Sequence, residues 1–343
     1  MILDIFSHVL PKKVEDEMHK RALKDAIVDA VGTRRRITDF QRGLWDMEFR
    51  LTMMNKYNDL AHVLVPTNFP LELIATPENA AYLAELYNDE MANLVAKHPT
   101  KLIAAVASIP LNNIDAALKE IDRAINVLGF RGILMHSPVY NQSVETRRGL
   151  DSKDLLPIYA KMEELDFPIW LHPRTDVAIA DYPGEPNSLY GVNQVLGWPY
   201  ETSVAMTRLV FSGIMDMYPN LKFITHHCGA MIPYMADRIN SSYEYWKITG
   251  AEFMQHMTQP PVQYFNRFYN DTALYGNTPA LMCAYAFFRV DHMLFGTDYP
   301  FDAERGDKFT RDTITAVDGM IISDSDKAKI FSENAIRLLK LSR

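Results

Sequence analysis

Residues 2–8 read ILDIFSH, an apolar run that closes on His8 shortly before Pro11. Runs of the same kind recur along the chain: AHVLVPT (61–67), KLIAAVASIP (101–110), FRGILMH (130–136), FPIWLH (167–172), LKFITHHCG (221–229), RFYNDTAL (267–274) and HMLFGTD (292–298). Most are nearly continuous in hydrophobicity and rich in β-branched or aromatic residues, as strands buried on both faces of a parallel sheet must be. Between them lie stretches with helical period. Asn79–His98 sets Ala80, Leu83, Tyr87, Met91 and Leu94 on one face, and Ile114–Leu128, Leu155–Leu165, Glu201–Tyr218 and Ser323–Leu341 repeat the pattern. Eight strand-like runs alternating with helices predict an α/β protein, a (β/α)8 TIM barrel rather than an open doubly wound sheet. No G-x-G-x-x-G or G-x-x-x-x-G-K-[ST] follows any run, which weighs against a nucleotide-binding sheet.

The 343 residues are 48% hydrophobic and 23% charged, with a formal net charge of −8. No linker or low-complexity tract divides them, so residues 1–343 are read as one barrel domain. Residues 9–60 and 173–200 are too long for simple connections and are read as lid insertions after the first and fifth strands. The basic residues are dispersed apart from Arg34–Arg36, which excludes nucleic acid as the main partner. No apolar stretch of membrane-spanning length and no signal-peptide layout occurs, and Cys228 and Cys283 form no metal or redox motif. The expected compartment is the cytoplasm.

A barrel places its functional groups where strands end. Here the runs end in or carry His8, His172, His226–His227, Asp271 and Asp298. Taken one at a time, each fits a satisfied core histidine or a turn aspartate. Taken together they need a shared cause, because an unpaired buried carboxylate is expensive, and a divalent metal ion supplies one. Residues 6 and 8 face the same side of their strand, but Phe6 has no donor atom. His8, His172 and Asp298 are therefore the candidate ligands, a set of three that leaves a position open for water. Alternation turns one of His226 and His227 inward and the other outward.

These residues sit in a recognisable order. DIFSHVLP (4–11), YNDEMANLVAKHPTKLIAAVASIPL (87–111), GFRGILMHSP (129–138), FPIWLHP (167–173), GWPYETSVAM (197–206), YPNLKFITHHCGAMIPYMADRI (218–239) and LFGTDYPF (294–301) resemble the aminocarboxymuconate-semialdehyde decarboxylase family of the amidohydrolase superfamily. The opening departs from that family's D-I-H-S-H only in Phe6. The resemblance implies one divalent metal ion, zinc or else manganese, on His8, His172 and Asp298. It implies His227 as the catalytic histidine, with His226 facing away, and Asp298 as a second proton carrier. Arg238 would reach a neighbouring subunit's site in a homodimer to hold a substrate carboxylate, and Arg36 would be a second such arginine. Trp198 would line the pocket, and Phe6 would widen its apolar part for an aromatic substrate. The implied activity is metal-dependent, non-oxidative decarboxylation of an unsaturated or aromatic carboxylic acid, a carbon–carbon lyase reaction. Two alternatives accompany it: a metal-dependent hydrolase or hydratase, and a metal-free, non-catalytic binding relative.

Overall fold

The computed structural model describes residues 1–23, 39–67, 69–254 and 257–341. Seven of the eight apolar runs contain strands: β1 (Ile2–Val9), β2 (Leu60–Pro66), β3 (Leu102–Ala105), β4 (Ile133–Ser137), β5 (Ile169–Pro173), β6 (Phe223–Thr225) and β7 (Tyr269–Asn270). All pair in parallel and in chain order, β1-β2-β3 in one sheet and β4-β5-β6-β7 in a second. Single parallel bridges span the gaps between the sheets, Ala107 to Ile133, Asn270 to Met293 and Ser7 to Tyr299.

The expected eighth strand forms no ladder. Residues 292–298 meet β7 through Leu294 N→Asn270 O (2.8 Å) and β1 through Ile5 N→Phe295 O (2.9 Å) and Asp298 N→Phe6 O (3.1 Å). Two local features break its regularity. A Cβ at Gly296 would stand 2.9 Å from the Asp271 Cβ, so only glycine permits this approach, and Asp298 leaves the β region with φ 65°.

Helices cover the outer faces: α1 (Lys12–Arg21), α2 (Met47–Met54), α3 (Pro77–Lys97), α4 (Ile114–Asn126), α5 (Leu156–Leu165), α6 (Gly197–Phe211), α7 (Ala236–Ile248), α8 (Thr278–Phe288) and α9 (Asp307–Asp318). α3 begins as its sequence requires, with the Thr76 hydroxyl accepting from Asn79 N and Pro77 in the first turn. The helix expected over 201–218 starts earlier, at Gly197, and breaks at Gly213, whose φ is 80°. No helix among the described residues is long and apolar enough to cross a membrane.

A compact apolar cluster is shared by both sheets: Leu3, Ile5, Val63, Ala104, Leu134, Trp170, Ile224 and Leu294 pack together, and Leu338 and Leu339 of the C-terminal segment join them. Within β1 the pairing slips by one residue between Asp4 and Ser7. That bulge puts both Ile5 and Phe6 into the shared cluster, and the Trp170 indole donates to the Ile5 carbonyl at 3.0 Å. The slip re-aims the strand so that Phe6 and His8 face the interior at its end.

Candidate metal centre and active site

His8 ends β1 with 0% exposure, and its Nδ1 lies 2.8 Å from the Pro66 carbonyl. His172 ends β5 and makes the same kind of bond, Nδ1 to the Pro173 carbonyl at 2.8 Å. A carbonyl only accepts, so Nδ1 carries the hydrogen in both rings and Nε2 keeps its lone pair. His226 follows β6 and points Nδ1 at Asp271 Oδ2 in a short contact. That carboxylate is itself fixed, since Asp271 Oδ1 accepts from Cys228 N at 2.9 Å and Ala273 N at 3.1 Å. One ring nitrogen from each of His8, His172 and His226 then falls within 4.8 Å of the others.

Asp298 joins from the eighth run. Its Oδ1 stands 3.2 Å from His8 Nε2 and 3.3 Å from His226 Nε2, and its Oδ2 accepts from the Tyr275 hydroxyl at 2.9 Å. Yet neither Nε2 atom has a hydrogen-bond partner among the described residues. Donors about 2.1 Å from a tetrahedral cation are roughly 3.3–3.5 Å apart, which is close to the spacing seen here. Buried ring nitrogens and a carboxylate oxygen aimed at one point, with no well-formed hydrogen bond to the nitrogens among the described residues, are what a divalent ion requires, so the residues fit a metal.

The electrostatics agree. Burial, with the neighbouring His226 and His8, pushes His172 well below the ordinary imidazole range. Burial also opposes charge on His226, but the Asp271 and Asp298 carboxylates outweigh it and lift that ring to about 9. Despite its own burial, Asp298 is held well below the usual carboxylate range by His226 and His8. The site is thus one where a positive charge is stabilised, and a proton and a metal ion compete for the same lone pairs.

His226 does not face away, and the alternation rule fails for it and its neighbour. β6 ends at Thr225, and the chain then turns tightly with φ 54° at His227 and 55° at Cys228. Alternation needs extended backbone, so both imidazoles turn inward and stack, with centroids 3.9 Å apart. His227, His226 and Asp298 form a second close group. Burial lowers His227 to about 3, and its Nδ1 is unpartnered among the described residues.

The remaining expected residues are scattered. Trp198 is half-buried on α6, its ring 5.5 Å from His172 and 6.5 Å from His227. Phe6 is fully buried and lies flat on the His226 ring. Arg238 is exposed on α7, in a surface groove rather than in the buried cluster. Arg36 lies outside the described residues. Sequence reasoning placed Asp271 at a strand tip without giving it a role, and it passed over Tyr275 and His136. His136 ends β4 in register with His172, buried, with Nε2 unpartnered among the described residues. Its place at a strand end was the available signal; Tyr275, in a loop after β7, offered none.

The fold and this polar rim define a class, and comparison with known proteins agrees. The amidohydrolase family model matches residues 7–341, so the chain belongs to that family. A gamma-resorcylate decarboxylase of Rhizobium radiobacter is 31% identical over 313 residues, 88% of this chain and 90% of its own. The 2-amino-3-carboxymuconate-6-semialdehyde decarboxylase of Dictyostelium discoideum is 24% identical over 354 residues, 99% of this chain and 91% of its own. The solved structure of a dihydroxybenzoic acid decarboxylase from Polaromonas sp. JS666, with bound manganese and the inhibitor 2-nitroresorcinol, superposes with TM-score 0.75 at 26% identity. It covers 100% of this chain and 97% of that one.

Proposed function

We propose that the substrate is an aromatic acid with a hydroxyl group beside its carboxylate, and that the rim described above is its active site. The enzyme is a carboxy-lyase, and its reaction is metal-dependent, non-oxidative decarboxylation. The hydrolase and metal-free alternatives lose their footing, since the relatives are decarboxylases and the buried donor atoms converge on one point. That convergence is the observation that carries the reading: His8 Nε2 and His226 Nε2 both turn to Asp298 Oδ1, at 3.2 and 3.3 Å, and neither ring nitrogen makes a hydrogen bond of good geometry among the described residues.

His8, His172 and Asp298 hold the ion in this reading. When bound, it supplies Lewis acidity to the substrate's oxygen atoms. Imidazole suits zinc and carboxylate suits manganese, so the donor types admit both. His227 and Asp298 carry a proton to the ring carbon that bears the carboxylate. Protonation interrupts the ring's conjugation; the C–C bond then breaks, its electron pair returns to the ring, and carbon dioxide leaves. Burial keeps His227 neutral, and His226 and His8 keep Asp298, oriented by Tyr275, ionised. The proton these two relay is therefore taken up from solvent water and replaces the departing carboxylate on the ring. Trp198 forms an aromatic wall, and Phe6 acts on the pocket through the ring it supports.

The architecture proposed around this site is one (β/α)8 domain with lids at 9–60 and 173–200 that exclude water, residues 24–38 of the first lying outside the described residues. A homodimer completes it. The groove that holds Arg238, about 470 Å³, is also lined by Tyr200, Met231, Met235, Tyr243 and Trp246. An isologous contact there would bury those apolar groups and carry Arg238 toward the partner's site to grip a carboxylate, with Arg36 a second grip. Cys228 and Cys283 are both free thiols, in keeping with the cytoplasm.

The test pairs two measurements on protein purified without chelators. Elemental analysis is expected to give about one transition-metal ion per chain, and a panel of 2-hydroxybenzoates and muconate-type acids is expected to show carbon dioxide release. Protein that neither carries nor takes up an ion, and releases no carbon dioxide, refutes the proposal.

A further inference from the structure

Position 6 faces the interior beside His8 and brings no donor atom, so a metal centre here lacks the partner that a His-x-His pair would give it. We propose that His226 supplies the missing donor, making the ligand set His8, His172, His226 and Asp298, and that Phe6 fixes the His226 ring in place. The inference rests on the metal-centre reading above and goes beyond its three ligands.

Three observations carry it. First, His226 has 0% exposure, and its Nε2, 3.3 Å from Asp298 Oδ1, has no hydrogen-bond partner among the described residues. A ring nitrogen of His226 also shares one 4.8 Å group with those of His8 and His172. Second, its other nitrogen is committed to Asp271, a carboxylate held by two backbone N–H groups. That pairing orients a ligating imidazole and raises its basicity. Third, the Phe6 ring lies parallel to the His226 ring, with centroids 3.9 Å apart and planes 9° apart. The side chain that fails as a ligand is therefore packed as a backing plate for the imidazole that replaces it. His227, stacked on the His226 ring with centroids 3.9 Å apart, keeps its place as a proton carrier. A set of three imidazoles and one carboxylate is richer in nitrogen than the manganese-type oxygen sites, so zinc and cobalt should bind more tightly than manganese.

The first experiment uses the wild-type chain loaded with Co²⁺. Each ligating histidine that keeps an Nδ1–H gives one exchangeable, strongly shifted proton resonance, so three are expected; two would overturn the inference. The second measures Zn²⁺ affinity by chelator competition. His226→Gln should bind Zn²⁺ at least about a hundredfold more weakly and change the visible Co²⁺ bands. Adding Phe6→His to that variant should recover binding. Phe6→Leu, which removes no donor, should weaken Zn²⁺ about tenfold and leave the coordination number unchanged. If His226→Gln binds Zn²⁺ like the wild type while His8→Ala does not, the fourth ligand is refuted and the metal centre stands. If the wild type takes up neither ion, the metal centre itself is refuted, and this inference with it.

Discussion

Two buried clusters of ionisable groups share β1, and they meet the cost of burial in opposite ways. Around Asp4 and Ser7 the chain supplies nearly all its own partners. Asp4 accepts from Phe6 N at 3.0 Å, from Thr297 N at 3.1 Å and from the Thr297 hydroxyl. Arg50, fully buried, donates to Ser7 Oγ at 2.9 Å, to the Gly43 carbonyl at 3.1 Å and to the His8 carbonyl. Ser7 Oγ in turn meets His62 Nδ1 at 2.8 Å, and His62 Nε2, 4.0 Å from Asp4 Oδ2, makes no hydrogen bond among the described residues. At the strand's end, by contrast, the Nε2 atoms of His8 and His226 crowd on one oxygen of Asp298, at 3.2 and 3.3 Å, and neither makes a hydrogen bond of good geometry among the described residues. A network closed on itself stabilises structure, while lone pairs left converging need something brought from outside. The two are joined, because Arg50 grips the backbone of the very residue whose ring is left open.

This contrast can be broken or sharpened by experiment. Changing the open cluster should cost function first. His172→Ala is expected to lose the metal and at least about a thousandfold in kcat/KM, since a Lewis acid contributes several kcal/mol to the transition state. Its urea stability should match that of metal-free wild type; a large loss would mean that the cluster is structural after all. Changing the closed network should cost stability instead. Arg50→Met takes the donor from the Gly43 and His8 carbonyls and one of the two partners of Ser7 Oγ, and should lose about 3–5 kcal/mol in urea denaturation, with metal stoichiometry retained.

Asp4 gives the contrast a pH signature. Burial raises its carboxyl from the ordinary value of 3.8 to about 6, against the pull of its hydrogen bonds and Arg50. The folded state then holds a proton that the unfolded state releases, so stability falls as pH rises from about 4 through 6 and is flat beyond. At roughly 1.4 kcal/mol per pKa unit, the difference between wild type and Asp4→Asn should change by about 3 kcal/mol between pH 4 and pH 7. A difference that stays constant with pH would show that Asp4 does not titrate in this window. The smallest effect is expected at Tyr275→Phe. It removes one hydrogen bond to Asp298 and should lower kcat/KM about tenfold with the metal still bound. An unchanged rate would show that Tyr275 does not orient Asp298 for its task.

The strands and helices were legible because their signal is local. Helical spacing over 79–98, 114–128 and 155–165 corresponds to Pro77–Lys97, Ile114–Asn126 and Leu156–Leu165. The eighth run was over-read as a strand, since hydrophobic content cannot reveal that Gly296 admits a close neighbour or that Asp298 turns out of the β region. Among the site residues, His8, His172 and Asp298 stood out as polar groups closing apolar runs. The inward turn of His226 did not, because a rule built on extended backbone was applied beyond Thr225, where the strand ends. Tyr275 reaches Asp298 from a loop, where no periodicity points to it.

The chain alone determined which residues are buried and where imidazoles and carboxylates interrupt the apolar runs, because burial and periodicity are written into neighbouring side chains. Only the tertiary structure decided which of those groups meet. The β1 bulge, the left-handed turn after β6 and the positive φ at Asp298 each re-aim a side chain by a local backbone choice that distant contacts impose. Residues hundreds of positions apart in sequence come within a few ångströms only once the sheets have formed around a common core, and the direction each ring then faces depends on that packing.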